Sequence, residues 1–99
     1  MLHIVNKSPF ERNSLESCMK VIDDKSIVLL IEDGVIGASK TSKADLVKEY
    51  ATAGKVYVLK GDLEARGIED NKVIEGIQLV DYSGFVNLVV EHGTPVSWV

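Results

Sequence analysis

Four short apolar runs constrain the fold of this chain more than any other feature, because each has the length of a β-strand and little polar alternation. They lie at residues 2–5, 27–31, 56–59 and 77–80. Strands of this kind are covered on both faces, as in parallel sheets. The stretches between them have helical character, and parallel strands joined by helices cross over right-handedly. The sequence therefore predicts an α/β fold, a mainly parallel four-stranded sheet with helices on both faces.

The first helix carries a start signal. Ser8 is placed as N-cap, Pro9 at the first helical position, and Glu11 three residues after Ser8 completes a capping box. The residues that follow at helical spacing form one apolar face, which predicts packing on the sheet. They are Leu15, Cys18, Met19 and Ile22.

Three further helices are predicted. One runs over residues 42–50 and is closed by Gly54, and a short one starts at Asp62 and closes at Gly67. The last begins after Asp81 or Ser83, either of which can cap it. Its predicted buried face consists of Phe85, Leu88, Val89 and His92.

Size and charge narrow the class of protein. The chain has 99 residues, which predicts a single domain over 1–99, and its net charge of −4 argues against direct nucleic-acid binding. A single cysteine excludes an internal disulfide and a CxxC metal or redox pair, so a reducing, cytoplasmic location is expected. The longest apolar run, 27–31, is far shorter than the roughly 20 residues of a membrane span.

Two carboxylates and a glycine, Glu32, Asp33 and Gly34, follow the second apolar run. They could supply acids to an active site, cap the next helix, or form a polar rim toward another subunit. The favoured interpretation is that Gly34 makes the turn and Asp33 accepts backbone hydrogen bonds from the next segment. The spacing D-G-x-x-G lacks the first glycine of a nucleotide-binding loop, and the acids would repel a phosphate.

Cys18 and Trp98 are the remaining candidates. Cys18 has intrinsic nucleophilic chemistry, but its position within an apolar helix face favours a buried core cysteine. Trp98 either folds back on its own domain or anchors a subunit contact, and both interpretations stay open.

Five blocks taken in order resemble the DsrH/TusB family. They are residues 2–20, the LLIEDGV stretch at 29–35, residues 55–67, residues 80–92 and the closing Trp98. The resemblance implies a small α/β subunit of a sulfur relay, assembled as a heterohexamer with DsrE/TusD-like and DsrF/TusC-like partners. A DsrC/TusE-like protein is the implied downstream acceptor. The first block is closer to DsrH of sulfur oxidation than to TusB of tRNA thiolation.

The resemblance also implies roles for residues. Sulfur passes between cysteine thiols as a persulfide, without a cofactor, and the main carrier is a loop cysteine of the DsrE/TusD subunit. This chain has none in such a loop, so a structural role is implied, with Cys18 as auxiliary persulfide acceptor and Glu32, Asp33 and Gly34 bordering a subunit interface. A sulfurtransferase acting through Cys18 and a free-standing homo-oligomeric regulator are the alternatives.

Overall fold

A five-stranded, all-parallel sheet organises the molecule. The computed structural model describes residues 1–99, and its strands are β1 (Leu2–Val5), β2 (Ile27–Leu30), β3 (Val56–Leu59), β4 (Gln78–Val80) and β5 (Val96–Trp98). The strand order is β4-β3-β2-β1-β5. The predicted α/β class with a parallel sheet is confirmed.

The predicted number of strands is wrong by one. The C-terminal residues form β5, which pairs with β1 so that His3 lies opposite Val96 and Val5 opposite Trp98. Three residues with alternating polarity carry little strand signal of their own, and the strand exists because β1 offers a free edge. The first strand in the chain thus becomes an inner strand of the sheet.

Helices cover the two faces unequally. The α-helices are α1 (Ser14–Val21), α2 (Lys48–Thr52), α3 (Lys60–Ala65) and α4 (Tyr82–His92), and short 3₁₀ helices span Glu32–Ala38, Ala44–Leu46 and Asp70–Lys72. Residues from α1, α2, α3 and the first 3₁₀ helix bury the larger core against one face of the sheet. The other face is covered by α4, whose Leu88 packs with Leu2, Ile4 and Leu29 in a smaller core.

The first helix starts later than predicted. Ser8 does not cap it, because the Ser8 hydroxyl accepts the backbone N–H of Phe10 at 3.2 Å and its carbonyl closes a turn on Arg12. The α-helix begins at Ser14. Its apolar face is confirmed: Leu15 and Cys18 are buried, and Met19 and Ile22 pack against the same core.

The other helices follow the prediction with local differences. The segment predicted as one helix over 42–50 is split into a 3₁₀ turn and α2, and Gly54 follows with a φ of 75°. Gly67 likewise follows α3 with a φ of 68°. Asp81 caps α4, since its Oδ1 accepts the N–H of Gly84 at 2.8 Å.

The outer side of α4 carries exposed apolar residues beside polar ones. Phe85, Leu88 and Val89 pack on the sheet, whereas Tyr82, Val86 and Val90 are exposed at 73%, 43% and 79%. These three residues, spaced four apart, form the α4 stripe. No helix of the protein has the length and apolar character needed to cross a bilayer.

Candidate functional site

Cys18 is a buried core residue. It lies in α1 with no exposed surface, within the large core that also contains Leu15 and Val28. Burial removes solvation from the thiolate and raises the pKa of Cys18 to about 12. The thiol is therefore protonated at neutral pH. The burial of Cys18 confirms its interpretation as a core cysteine.

Glu32 begins the loop after β2 in an unusual backbone conformation. Its φ is 49°, a left-handed value that costs a residue with a side chain about 1–3 kcal/mol. The strain is offset by a short hydrogen bond, because the backbone N–H of Glu32 donates to Oδ2 of Asp62 at 2.6 Å. Asp62 lies in α3, just after β3, so the two strand ends are tied together.

Asp33 is paired with an arginine. The Arg66 side chain donates to Oδ1 of Asp33 from Nε at 3.0 Å and from Nη2 at 2.9 Å. A third donor of Arg66, Nη1, reaches the Asp62 carbonyl at 3.2 Å. The expectation that Asp33 accepts backbone hydrogen bonds from the next segment is wrong, because a cation 33 residues away occupies the carboxylate.

Gly34 is required by a close approach between two backbones. A Cβ at this position would lie 2.1 Å from the carbonyl oxygen of Val5 and 3.3 Å from Cα of Asn6. The 3₁₀ helix therefore crosses directly over the end of β1. Oδ1 of Asn6, at the same strand end, is buried without a hydrogen-bond partner.

These residues form a polar edge at the carboxyl ends of β1, β2 and β3. We call Glu32, Asp33, Asp62 and Arg66 the strand-end cluster. Asp62 and Arg66 were missed from the sequence, although loops that follow neighbouring parallel strands meet at one edge of a sheet. The cluster contains no thiol, and no group of three or more His, Cys, Asp or Glu side chains is placed to hold a metal ion.

Trp98 folds back onto its own domain. Its Nε1–H donates to Nδ1 of His3 at 3.1 Å, and the two ring centroids lie 6.2 Å apart. Trp98 also packs against the large core while staying partly exposed. The first of the two interpretations of Trp98 is confirmed, and a role in subunit contact stays a prediction.

Comparison with known proteins finds a matching family model and several relatives of similar length. A family model for DsrH-like proteins matches residues 7–94. The chain is similar to Protein TusB of Pectobacterium parmentieri, at 34% identity, covering 99% of this chain and 100% of that protein. It is also similar to Protein TusB of Buchnera aphidicola, at 37% identity with the same coverage.

A solved structure supports the fold. The ychN protein from E. coli matches with a TM-score of 0.74 at 16% identity, covering 98% of this chain and 97% of that one. At this level of sequence identity, the similarity supports a shared fold and nothing further.

Proposed function

Because the chain belongs to the family of DsrH-like proteins, we propose that it is a subunit of a sulfur-relay complex that serves tRNA thiolation. The first sequence block resembles DsrH of sulfur oxidation, but the relatives above carry the name TusB, which favours tRNA thiolation. The proposed partners are TusC- and TusD-like subunits in a heterohexamer, with a TusE-like protein as downstream acceptor. With a net charge of −4, this chain leaves tRNA contact to its partners.

The burial of the only thiol carries the proposal of a structural role. In persulfide transfer, an acceptor thiolate attacks the outer sulfur of the donor persulfide, forms a new S–S bond and displaces the donor thiolate. With a pKa of about 12, Cys18 has a thiolate fraction on the order of 1 in 100,000 at pH 7. Cys18 also has no exposed surface. The sulfur-carrying thiol therefore belongs to a partner, and acceptance at Cys18 requires α1 to open.

The strand-end cluster supports an interface at the carboxyl edge of the sheet. Asp33 and Arg66 satisfy each other, whereas the Glu32 side chain is exposed and has no ion-pair partner. We propose that Glu32, Asp33 and Gly34 border a subunit contact here, and that the contact extends along this edge as far as Trp98 in β5.

Mass spectrometry tests the proposed division of roles. The chain is incubated with a persulfide donor, alone and with its partner subunits, and the intact mass of each chain is measured. We expect a sulfur-sized mass increase confined to a partner. Cys18→Ala, which preserves an apolar side chain in the core, should support full transfer. A mass increase on this chain that Cys18→Ala abolishes would contradict the structural role.

Charge reversal tests the proposed interface. Glu32→Lys should weaken co-purification with the partners, because it places a cation at the proposed contact. Glu75→Lys is the matched control, since Glu75 is exposed and precedes β4 at the opposite edge of the sheet. If Glu32→Lys and Glu75→Lys both co-purify with the partners as well as wild type does, the interface does not lie at this edge.

A homo-oligomeric regulator is the second candidate, favoured by the α4 stripe. Three exposed apolar residues at four-residue spacing form a ridge that the same helix of a second copy can pack against. In that case the isolated chain forms a dimer, measurable by light scattering, that Val90→Asp dissociates. A wild-type chain that is monomeric, together with a Val90→Asp variant that still binds the partner subunits, would exclude this alternative.

A further inference from the structure

The C-terminal strand is attached to the sheet by few interactions. β5 is three residues long, lies at the edge and pairs with β1 alone. Only two side-chain hydrogen bonds join its residues and Val99 to the rest of the protein. The Ser14 hydroxyl donates to the Val99 carbonyl at 2.9 Å, and the Trp98 indole donates to Nδ1 of His3 at 3.1 Å.

The bond between Trp98 and His3 depends on the protonation state of the imidazole. Nδ1 of a neutral histidine can accept a hydrogen bond, whereas both nitrogens of an imidazolium are donors. An indole N–H is a donor only, so protonation of His3 places two donors against each other. The contact therefore exists only while His3 is neutral.

The surroundings of His3 oppose its protonation. His3 is 5% exposed, and burial lowers its pKa below 6.5. Two charged groups act on the ring: the α-amino group of Met1 lowers the pKa further, and the carboxylate of Asp23 raises it. The strands on either side place Val28 and Val96 opposite His3. The packed face of α1 contributes Leu15, Cys18 and Met19 to the core, none of them charged at neutral pH.

We propose that His3 and Trp98 form a proton-sensitive latch that holds β5 on the sheet and releases it when His3 is protonated. In the released state His3 is solvated and regains an ordinary pKa near 6.5. The released state therefore binds more protons than the closed state, so acid favours it. Above pH 6.5 protonation no longer contributes to opening of the latch, and below that value its opening equilibrium rises by up to about tenfold for each pH unit until the pKa of the closed state is reached.

Release of β5 changes two surfaces. The edge of β1 loses its strand partner, which leaves backbone donors and acceptors free for another strand. Trp98 leaves the large core, which contains Cys18. The latch thereby connects proton concentration to the accessibility of the sheet edge beside α1.

The composition of the chain allows a clean test. Trp98 is the only tryptophan, and His3 and His92 are the only histidines. Trp98 emission and its quenching by acrylamide are measured from pH 8 to pH 5, with far-UV circular dichroism of the same samples. Wild type should show a red shift and increased quenching below pH 6.5, with helix content retained. Asp23 stays ionised throughout, because hydrogen bonds from Ser26 and Lys25 lower its pKa below 3.8.

Two variants assign the effect. His3→Asn keeps an acceptor oxygen near the position of Nδ1 but cannot titrate, so its Trp98 signal should be independent of pH. His92→Gln removes the other histidine and should behave as wild type. A pH profile of His3→Asn equal to that of wild type, a flat wild-type profile, or loss of helix content together with the fluorescence change would each overturn the latch.

A measurement on wild type keeps the test independent of whether His3→Asn folds. The chain has one indole Nε1–H resonance, which NMR can follow through the same pH range together with the His3 ring. The resonance should move upfield as His3 titrates, because its acceptor is lost. An indole resonance that stays constant through the titration of His3 would refute the proposal.

Discussion

Replacing Gly34 by alanine tests whether the loop after β2 is rigidly seated on β1. A Cβ at this position would lie 2.1 Å from the Val5 carbonyl oxygen and 2.9 Å from its carbonyl carbon. Carbon and oxygen in favourable contact are about 3.3–3.6 Å apart, so one backbone must move by more than about 1 Å. Both atoms that would be displaced belong to an inner strand of the sheet, and neither is the end of a flexible side chain.

The expected loss of stability is about 3 kcal/mol. Overpacking a well-packed site costs about 1–3 kcal/mol, occasionally more. The Val5 carbonyl also accepts the N–H of Ile31 at 3.1 Å, and weakening that bond adds about 1 kcal/mol. Alanine also lowers the conformational entropy of the unfolded chain, which raises the free energy of unfolding by about 0.5–1 kcal/mol. Since each kcal/mol shifts the melting temperature of a domain of this size by about 4–8 °C, Tm should fall by more than about 12 °C.

Urea and thermal unfolding, followed by circular dichroism, measure the effect of Gly34→Ala. Gly61→Ala is the matched control: Gly61 lies in α3, and nothing lies within 4 Å of a Cβ there. That variant should gain about 0.5–1 kcal/mol, because alanine favours a helix over glycine. If Gly34→Ala unfolds within about 0.5 kcal/mol of wild type, the loop moves freely over β1 and the reasoning is wrong.

Three further predictions concern single side chains. Cys18 should react with a thiol reagent at least about 1,000 times more slowly in the folded chain than in urea, because reaction requires unfolding; a rate near the unfolded value would contradict its burial. Asp33→Asn and Arg66→Met should each cost at most about 1 kcal/mol in dilute buffer and less in 1 M salt, as urea titrations would show for a solvent-accessible ion pair. Asp81→Ala should lower stability by about 1 kcal/mol through loss of the α4 cap, with Asp81→Ser restoring most of it in the same titration.

The strands could be predicted from the sequence because burial on both faces leaves a local trace. Each of the four predicted apolar runs overlaps a strand, and the helix cap at Asp81 follows from residues that are neighbours in the chain. The burial of Cys18 also follows from spacing alone, since Leu15 and Met19 share its helix face. In each of these cases the signal lies in the residue types and spacing of one short segment.

The remaining features depend on pairings between distant residues. β5 forms because β1 has an open edge, and Asp33 pairs with Arg66, which directly follows α3. Ser8, Pro9 and Glu11 carry a helix-start pattern, yet the chain makes a turn there and delays α1 to Ser14. The hydrogen bond between His3 and Trp98 joins residues 95 positions apart.

The placement of β1 between β2 and β5 has a consequence for how the chain acquires its structure. Of the five strands, β1 comes first in the sequence and its second neighbour, β5, comes last, so their pairing closes a loop of about 90 residues. Such a loop has a high entropy of closure, and sheets with high contact order fold slowly. During synthesis, one edge of β1 stays unpaired until residues 96–98 leave the ribosome. A nascent chain without β5 would present β1 as a template for intermolecular strand pairing, so deletion of residues 96–98 should increase aggregation.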